Sequence, residues 1–215
     1  RLKEEMDAVL EAVEKGELPE EEINAKCRKV LTYKYILGLE RKPFVKLSGL
    51  GTRINTPQTR DLISRLNLAA ITVLNNKNDV LPLHPDLKEA AILNVGKPEE
   101  IEPFDRKMKK YTSFARFQLR KDLPEAEQQK LRDSLAAYRR VIVTVTEQRL
   151  ASYQSFFAKF APESPVIYVF YTPAKSMLQI QRAVSAAEAV VLAHASRDDV
   201  QERVADLLFG KATAD

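Results

Sequence analysis

The sequence has 215 residues, with 34 Lys and Arg against 30 Asp and Glu, a net charge of +4. Apolar residues make up 45%, enough to build a core, which excludes a disordered chain. Cys27 is the only cysteine, which excludes a disulfide scaffold.

The elements read in chain order as follows. Met6, Leu10 and Val13 recur at helical spacing, and Gly16 ends that helix. Leu18-Pro19 starts a second helix with Glu20, Glu21 and Glu22 at its positive end. Its stripe of Ile23, Cys27, Val30, Leu31 and Leu37 is expected to be buried, with Cys27 a small core residue. Residues 1–38 are thus a helical pair that needs a partner surface. Residues 39–55, with Pro43, Gly49 and Gly51, read as a linker. Residues 56–215 read as an α/β domain. It opens at Thr56-Pro57 on a helix whose inner face is expected to be Leu62, Ile63, Leu66, Ala69 and Ala70. Ile71 to Leu74 is β-branched and suits a strand.

From residue 89 strands and helices alternate. Strands are expected at 90–95, 113–119, 141–146, 165–171 and 189–195, with 113–119 at an edge. Helices are expected at 98–111, 124–138, 152–160, 175–186 and 198–209. The fold class is α/β: a mainly parallel sheet of five to six strands covered by helices on both faces. Ligands in such sheets bind beyond the C-terminal strand ends. Those ends carry residues 94–97, 147–149, 172–175 and 194–197.

Few chemistries fit these residues. The six glycines never form G-x-G-x-x-G or a Walker pattern, so no nucleotide or other cofactor is expected. His84, His194 and Cys27 lack paired metal-ligand spacing, so no metal site is expected. Arg106 to Lys110 reads as a solvated helix face, and no nucleic-acid partner is expected. No apolar run approaches the roughly 20 residues of a membrane span. Gly96 follows a strand as a turn glycine. Glu147 ends a central strand, where a carboxylate can face a cleft. His194 ends a buried strand two residues before Ser196, without a nucleophile elbow. Gly96, Glu147 and His194 are therefore the cleft candidates; no catalytic residue is expected in this chain, and Glu147 is the one weak candidate. The sequence starts without Met inside a charged helical pattern, and is expected to be a piece of a longer polypeptide.

Three segments, in order, resemble the family 3 glycoside hydrolases. Residues 23–39, from Ile23-Asn24 through Arg28-Lys29-Val30-Leu31 to Leu37-Gly38-Leu39, look like the family's helix after its catalytic barrel. Residues 70–83, from Ala70-Ile71 through Asn75-Asn76 to Leu81-Pro82-Leu83, resemble its Ser-Ile-Val-Leu-Leu-Lys-Asn…Leu-Leu-Pro-Leu marker, with Asn75 in place of the usual Lys. Ala189 to Ala193, Gln201 and Leu207-Leu208-Phe209-Gly210 are similar to its last strand and Leu-Phe-Gly helix end.

The resemblance implies an α/β sandwich domain that follows a sugar-cleaving (β/α) barrel bearing the Asp nucleophile. Residues 1–38 would then be the last helices of that barrel, which is the expected partner and the route to a carbohydrate substrate. A periplasmic or secreted parent is expected from the same likeness. Retaining glycosidases need two carboxyl groups about 5–5.5 Å apart. In the β-glucosidase branch the sandwich domain supplies the acid/base Glu from a loop after a central strand. Here Glu147-Gln148-Arg149 leads almost directly into a helix, without that longer loop. This suits the β-N-acetylglucosaminidase branch, which takes its acid/base from a His–Asp pair on the barrel. The expected role is a non-catalytic domain that braces the barrel and walls its cleft. The alternatives are a domain that donates Glu147 to a β-glucosidase cleft, and a free-standing small-molecule binding module around Gly96 and His194.

Overall fold

A computed structural model describes residues 2–41, 46–84, 87, 89–160 and 165–214; Arg1 and the linker residue Pro43 lie outside these. The chain divides into two compact units, residues 1–55 and 56–215.

The first unit holds α1 (Leu2–Glu14), α2 (Glu20–Ile36) and the single turn α3 (Leu50–Ile54), which falls inside the stretch read as linker. Three glutamates in the first turn of α2 complement its dipole. None of these helices has a buried residue. The expected burial of the α2 stripe is therefore corrected: Val30, Leu31, Leu37 and Cys27 are exposed, and Ile23 is only half-buried. Periodicity marks the face that needs a cover, and this unit alone supplies none.

The second unit is built on a six-stranded sheet. Its strands are β1 (Thr72–Asn76), β2 (Ala90–Val95), β3 (Ala115–Leu119), β4 (Arg140–Val145), β5 (Val166–Phe170) and β6 (Ala189–Leu192). Their order is β1-β6-β5-β4-β2-β3, parallel except for β1, which runs antiparallel to β6. β3 is an edge strand, as its alternation suggests.

Every residue of β2, β5 and β6 is buried, so periodicity alone could not assign their faces. Register does so. Leu93, Val143, Tyr168 and Val190 align across four strands and belong to one core. Ile92, Ile142, Ile167 and Ala189 align one step away and belong to the other. The first core is closed by α6 (Glu125–Ala136), α7 (Gln154–Lys159) and α9 (Gln181–Ala186), through Leu135, Phe156, Phe157 and Val184. The second is closed by α5 (Glu102–Met108) and α10 (Asp198–Leu208), through Phe104, Met108, Val200 and Val204.

Two expected helices are divided. Residues 98–111 split into a 3₁₀ turn at Pro98–Ile101 and α5, with Pro103 in its first turn, where a missing N–H costs nothing. Residues 175–186 split into α8 (Ala174–Leu178) and α9. At that break the Gln179 amide accepts from Leu150 N at 2.9 Å and donates to Gln148 O at 2.8 Å, tying in the loop after β4.

α4 (Pro57–Ala69) starts as the sequence indicates, with Thr56 accepting from Thr59 N at 3.1 Å. Its inner face is not the expected one. Leu62, Ile63 and Leu66 are 52%, 41% and 61% exposed, whereas Ser64, Asn67 and Leu68 are half-buried. Ser64 Oγ donates to Asp199 Oδ2 of α10 at 2.5 Å, which rotates the helix and turns its apolar stripe outward. Burial alone would raise the Asp199 pKa, but the bonds from Ser64 and Arg197 outweigh it and hold the carboxyl below its usual value.

Beyond β2, Gly96 has φ +139°, and a Cβ there would lie 1.9 Å from Thr146 Oγ1. The strand end thus requires glycine for both conformation and space.

Four substitutions test this packing, each read by chemical or thermal unfolding. Leu135→Ala should cost about 2–5 kcal/mol, while Leu62→Ala in this chain should stay within about 0.5 kcal/mol. Gly96→Ala should cost about 2–4 kcal/mol, from strain plus overlap. Ser64→Ala should cost about 1–2 kcal/mol at pH 7. A carboxyl with a lowered folded pKa stabilises above its unfolded value and loses that stabilisation as pH falls through the folded one. The gap between Ser64→Ala and wild type should therefore close below about pH 4.

Candidate functional site

The parallel strands end together, and their backbones are stitched at that end. Val95 O accepts from Thr146 N at 2.9 Å and from Glu147 N at 3.2 Å. Val145 O accepts from Tyr171 N at 2.9 Å, and Phe170 O from Ala193 N at 2.8 Å. The chain runs from β2 outward to β3, then back across to β4, so the topological switch lies between β2 and β4.

Above this edge lies an open crevice of about 500 Å³. The segment after β2 supplies Glu99, Glu100 and Pro103, and the loop after β4 supplies Thr146 and Gln148. Tyr171 follows β5, while His194, Ser196, Asp198 and Gln201 follow β6. Gln201 is buried and holds the wall rigid. Its Oε1 accepts from Phe104 N at 3.2 Å, and its Nε2 donates to Glu100 O at 2.7 Å and to Ser196 Oγ at 3.1 Å.

The three residues singled out in the sequence occupy different places. His194 lines the crevice, is exposed, and has φ +62°. Ala195 N donates to Ala193 O at 2.7 Å across it, which makes a γ-turn of the rarer, strained hand. Gly96 lies behind the wall, packed against Thr146. Glu147 is outside the lining; its Oε1 accepts from Arg149 N at 3.0 Å, so the carboxylate is folded back on its own loop. Burial first, then the charges of Glu147 and Asp122, raise the Tyr153 pKa above its usual value. Ser196 is no nucleophile for His194, because its hydroxyl donates to Glu100 O at 3.2 Å and accepts from Gln201.

Tyr171 was not singled out in the sequence, where it reads as the last residue of an apolar strand. Its side chain is 3% exposed, and its hydroxyl is buried without a partner. Burial, reinforced by the negative charge of Asp105, pushes that phenol well above its usual pKa. The hydroxyls of Thr146 and Thr172 are also buried without partners. The available signal was a polar-tipped aromatic where an apolar strand meets the ligand edge.

A smaller pocket of about 180 Å³ opens between β2, β3 and α5. Its polar lining is mostly satisfied from within. Thr144 Oγ1 donates to Asn94 at 3.2 Å, Asn94 to Gln118 at 2.8 Å, and Gln118 to Gly96 O at 2.7 Å. Arg116 pairs with Asp105 at 2.9 Å, fixing α5 to the edge strand. Burial still raises the Asp105 pKa against the opposing charges of Arg116 and Lys109.

Among the described residues, no three His, Cys, Asp or Glu side chains are gathered to hold a metal ion. In the same residues, no helix is long and apolar enough to cross a membrane. The crevice offers hydroxyls, carboxylates and one imidazole, an arrangement suited to hydrogen-bonded recognition. Among the described residues, no nucleophile and base are paired in it.

No protein-family model and no curated protein matches the sequence. Solved structures do match. Beta-glucoside phosphorylase BglX is 19% identical with a TM-score of 0.62, over 96% of this chain and 40% of that one. A beta-glucosidase from Listeria innocua in complex with isofagomine is 16% identical with a TM-score of 0.56, over 95% of this chain and 33% of that one. A fungal multi-domain GH3 beta-N-acetylglucosaminidase is 15% identical with a TM-score of 0.57, over 99% of this chain and 25% of that one. The chain therefore has, nearly end to end, the fold that these glycoside-processing enzymes carry over a quarter to two fifths of their length.

Proposed function

We propose that this chain is the C-terminal α/β sandwich domain of a family 3 β-glycosidase and carries no catalytic residue of its own. The observation that carries this reading is the coverage: 95–99% of this chain aligns with only 25–40% of enzyme chains that include a GH3 β-N-acetylglucosaminidase. The three ordered sequence segments agree with it. Its role is to brace a catalytic barrel and wall the barrel's cleft. The exposed stripes of α1, α2 and α4 support bracing, since each is an apolar face that no described residue covers. The partner is the barrel of the same polypeptide, and carbohydrate is reached through it.

The parent is a β-N-acetylglucosaminidase in this reading, periplasmic or secreted. The observation that favours this branch is Glu147. A donated acid/base must reach a glycosidic oxygen, and this carboxylate accepts instead from Arg149 N on a short loop.

The test compares aryl β-N-acetylglucosaminide and aryl β-glucoside hydrolysis by residues 1–215 and by the full-length protein. Only the full-length protein should turn over, with the N-acetylglucosaminide preferred. Glu147→Gln in the full-length protein should stay within about threefold of wild type. A loss of about 10²–10⁴-fold would instead assign Glu147 as acid/base, and turnover by the 215-residue chain would refute the accessory role.

A further inference from the structure

We infer that Gln179 is a positioning residue, which sets the loop after β4 as part of the wall of the substrate cleft. The part played in a cleft rests on the function proposed above. The placement of the loop stands on this chain's own residues.

The loop, residues 146–150, ends on Leu150, which is fully buried. Its middle is held from outside. The Gln179 amide accepts from Leu150 N and donates to Gln148 O, the groups on either side of Arg149. A residue on a neighbouring parallel strand would bond the same two groups. One side chain thus continues the ladder beyond Val145 and Phe170, the last paired residues of β4 and β5.

The helix break at Gln179 puts its main chain to use as well. In an unbroken helix over residues 174–186, Ala183 N would donate to Gln179 O. Here Ile180 has φ −127° and ψ 32°, and Ala183 N donates to Ile180 O at 3.0 Å. Gln179 O accepts instead from Gln154 Nε2 at 3.0 Å, at the start of α7. Gln179 therefore joins the loop, α7 and the junction of α8 with α9.

Two side chains of the loop depend on this hold. Gln148 lines the crevice, and Glu147 is turned back onto Arg149 N. Without the amide, Leu150 N and Gln148 O lose their partner. Unpaired backbone groups are costly in the interior, so the loop must open to water to satisfy them.

The experiment compares Gln179→Met, which keeps the length and loses both side-chain bonds, with Gln179→Glu, which keeps an acceptor for Leu150 N. Amide hydrogen exchange of the 215-residue chain is followed by NMR, with sheet amides as the internal standard. Gln179→Met should speed exchange at Leu150 at least about tenfold, while Val143 and Tyr168 exchange as in wild type. Gln179→Glu should keep Leu150 near its wild-type rate. Equal speeding across the sheet would make Gln179 a general stabilising residue and overturn the inference. No change at Leu150, or the same change in both variants, would overturn it too.

The second arm uses the full-length protein and its preferred aryl glycoside. Gln179→Met should raise KM at least about threefold with kcat within about twofold of wild type, since a wall moves and no reacting group does. An unchanged KM beside a freed loop would remove the loop from the cleft wall. Failure of the accessory role is a separate result, because it is read as turnover by the unmodified 215-residue chain.

Discussion

The rest of the second unit follows from one constraint: its central parallel strands are buried on both faces. The apolar side chains along β4 and β5 belong to one or the other of two cores, so helices must close both sides of the sheet. Aromatic residues fill one core, with Phe156 stacked on Phe160 and Tyr168 on Phe170. The other is closed by α5 and α10, which Lys107 and Tyr111 tie together through Asp206. With both faces used for burial, polar chemistry is left the strand ends. That is where the unpartnered hydroxyls, the left-handed His194 and the glycine-only turn at Gly96 gather.

Those features are linked. Gly96 lets the end of β2 approach Thr146 so closely that no side chain fits between them. The contact sets the height of the β4 loop, and the backbone stitches carry the same alignment to β5 and β6. Tyr171 and His194 thereby face one crevice although they lie on separate strand ends. The crevice is thus a product of strand register, held from the side by the buried amide of Gln201.

The first unit has a different logic. Its helices satisfy their backbones and their dipoles, yet bury nothing. α4 repeats the pattern inside the second unit, because a hydrogen bond from Ser64 to Asp199 fixes which side faces α10. In each case the apolar stripe is exposed.

The sequence by itself determined the element types, the parallel α/β class, the edge position of 113–119 and the segment order that resembles family 3. These rest on local chemistry: β-branched runs, caps, prolines and glycines act within a few residues of themselves. It could not determine the burial of Cys27, the inner face of α4 or the place of Tyr171, because a periodic stripe names a face without naming what covers it. It marked Gly96, Glu147 and His194 as strand-end residues, but which of them line the crevice depends on register between paired strands 22 to 50 residues apart in the chain. Only the tertiary structure decided that His194 lines the crevice, that Glu147 turns back to Arg149, and that the Tyr171 hydroxyl is buried without a partner. The physical reason is that hydrogen-bond satisfaction is settled between elements, after the strands have aligned, and no single segment contains it.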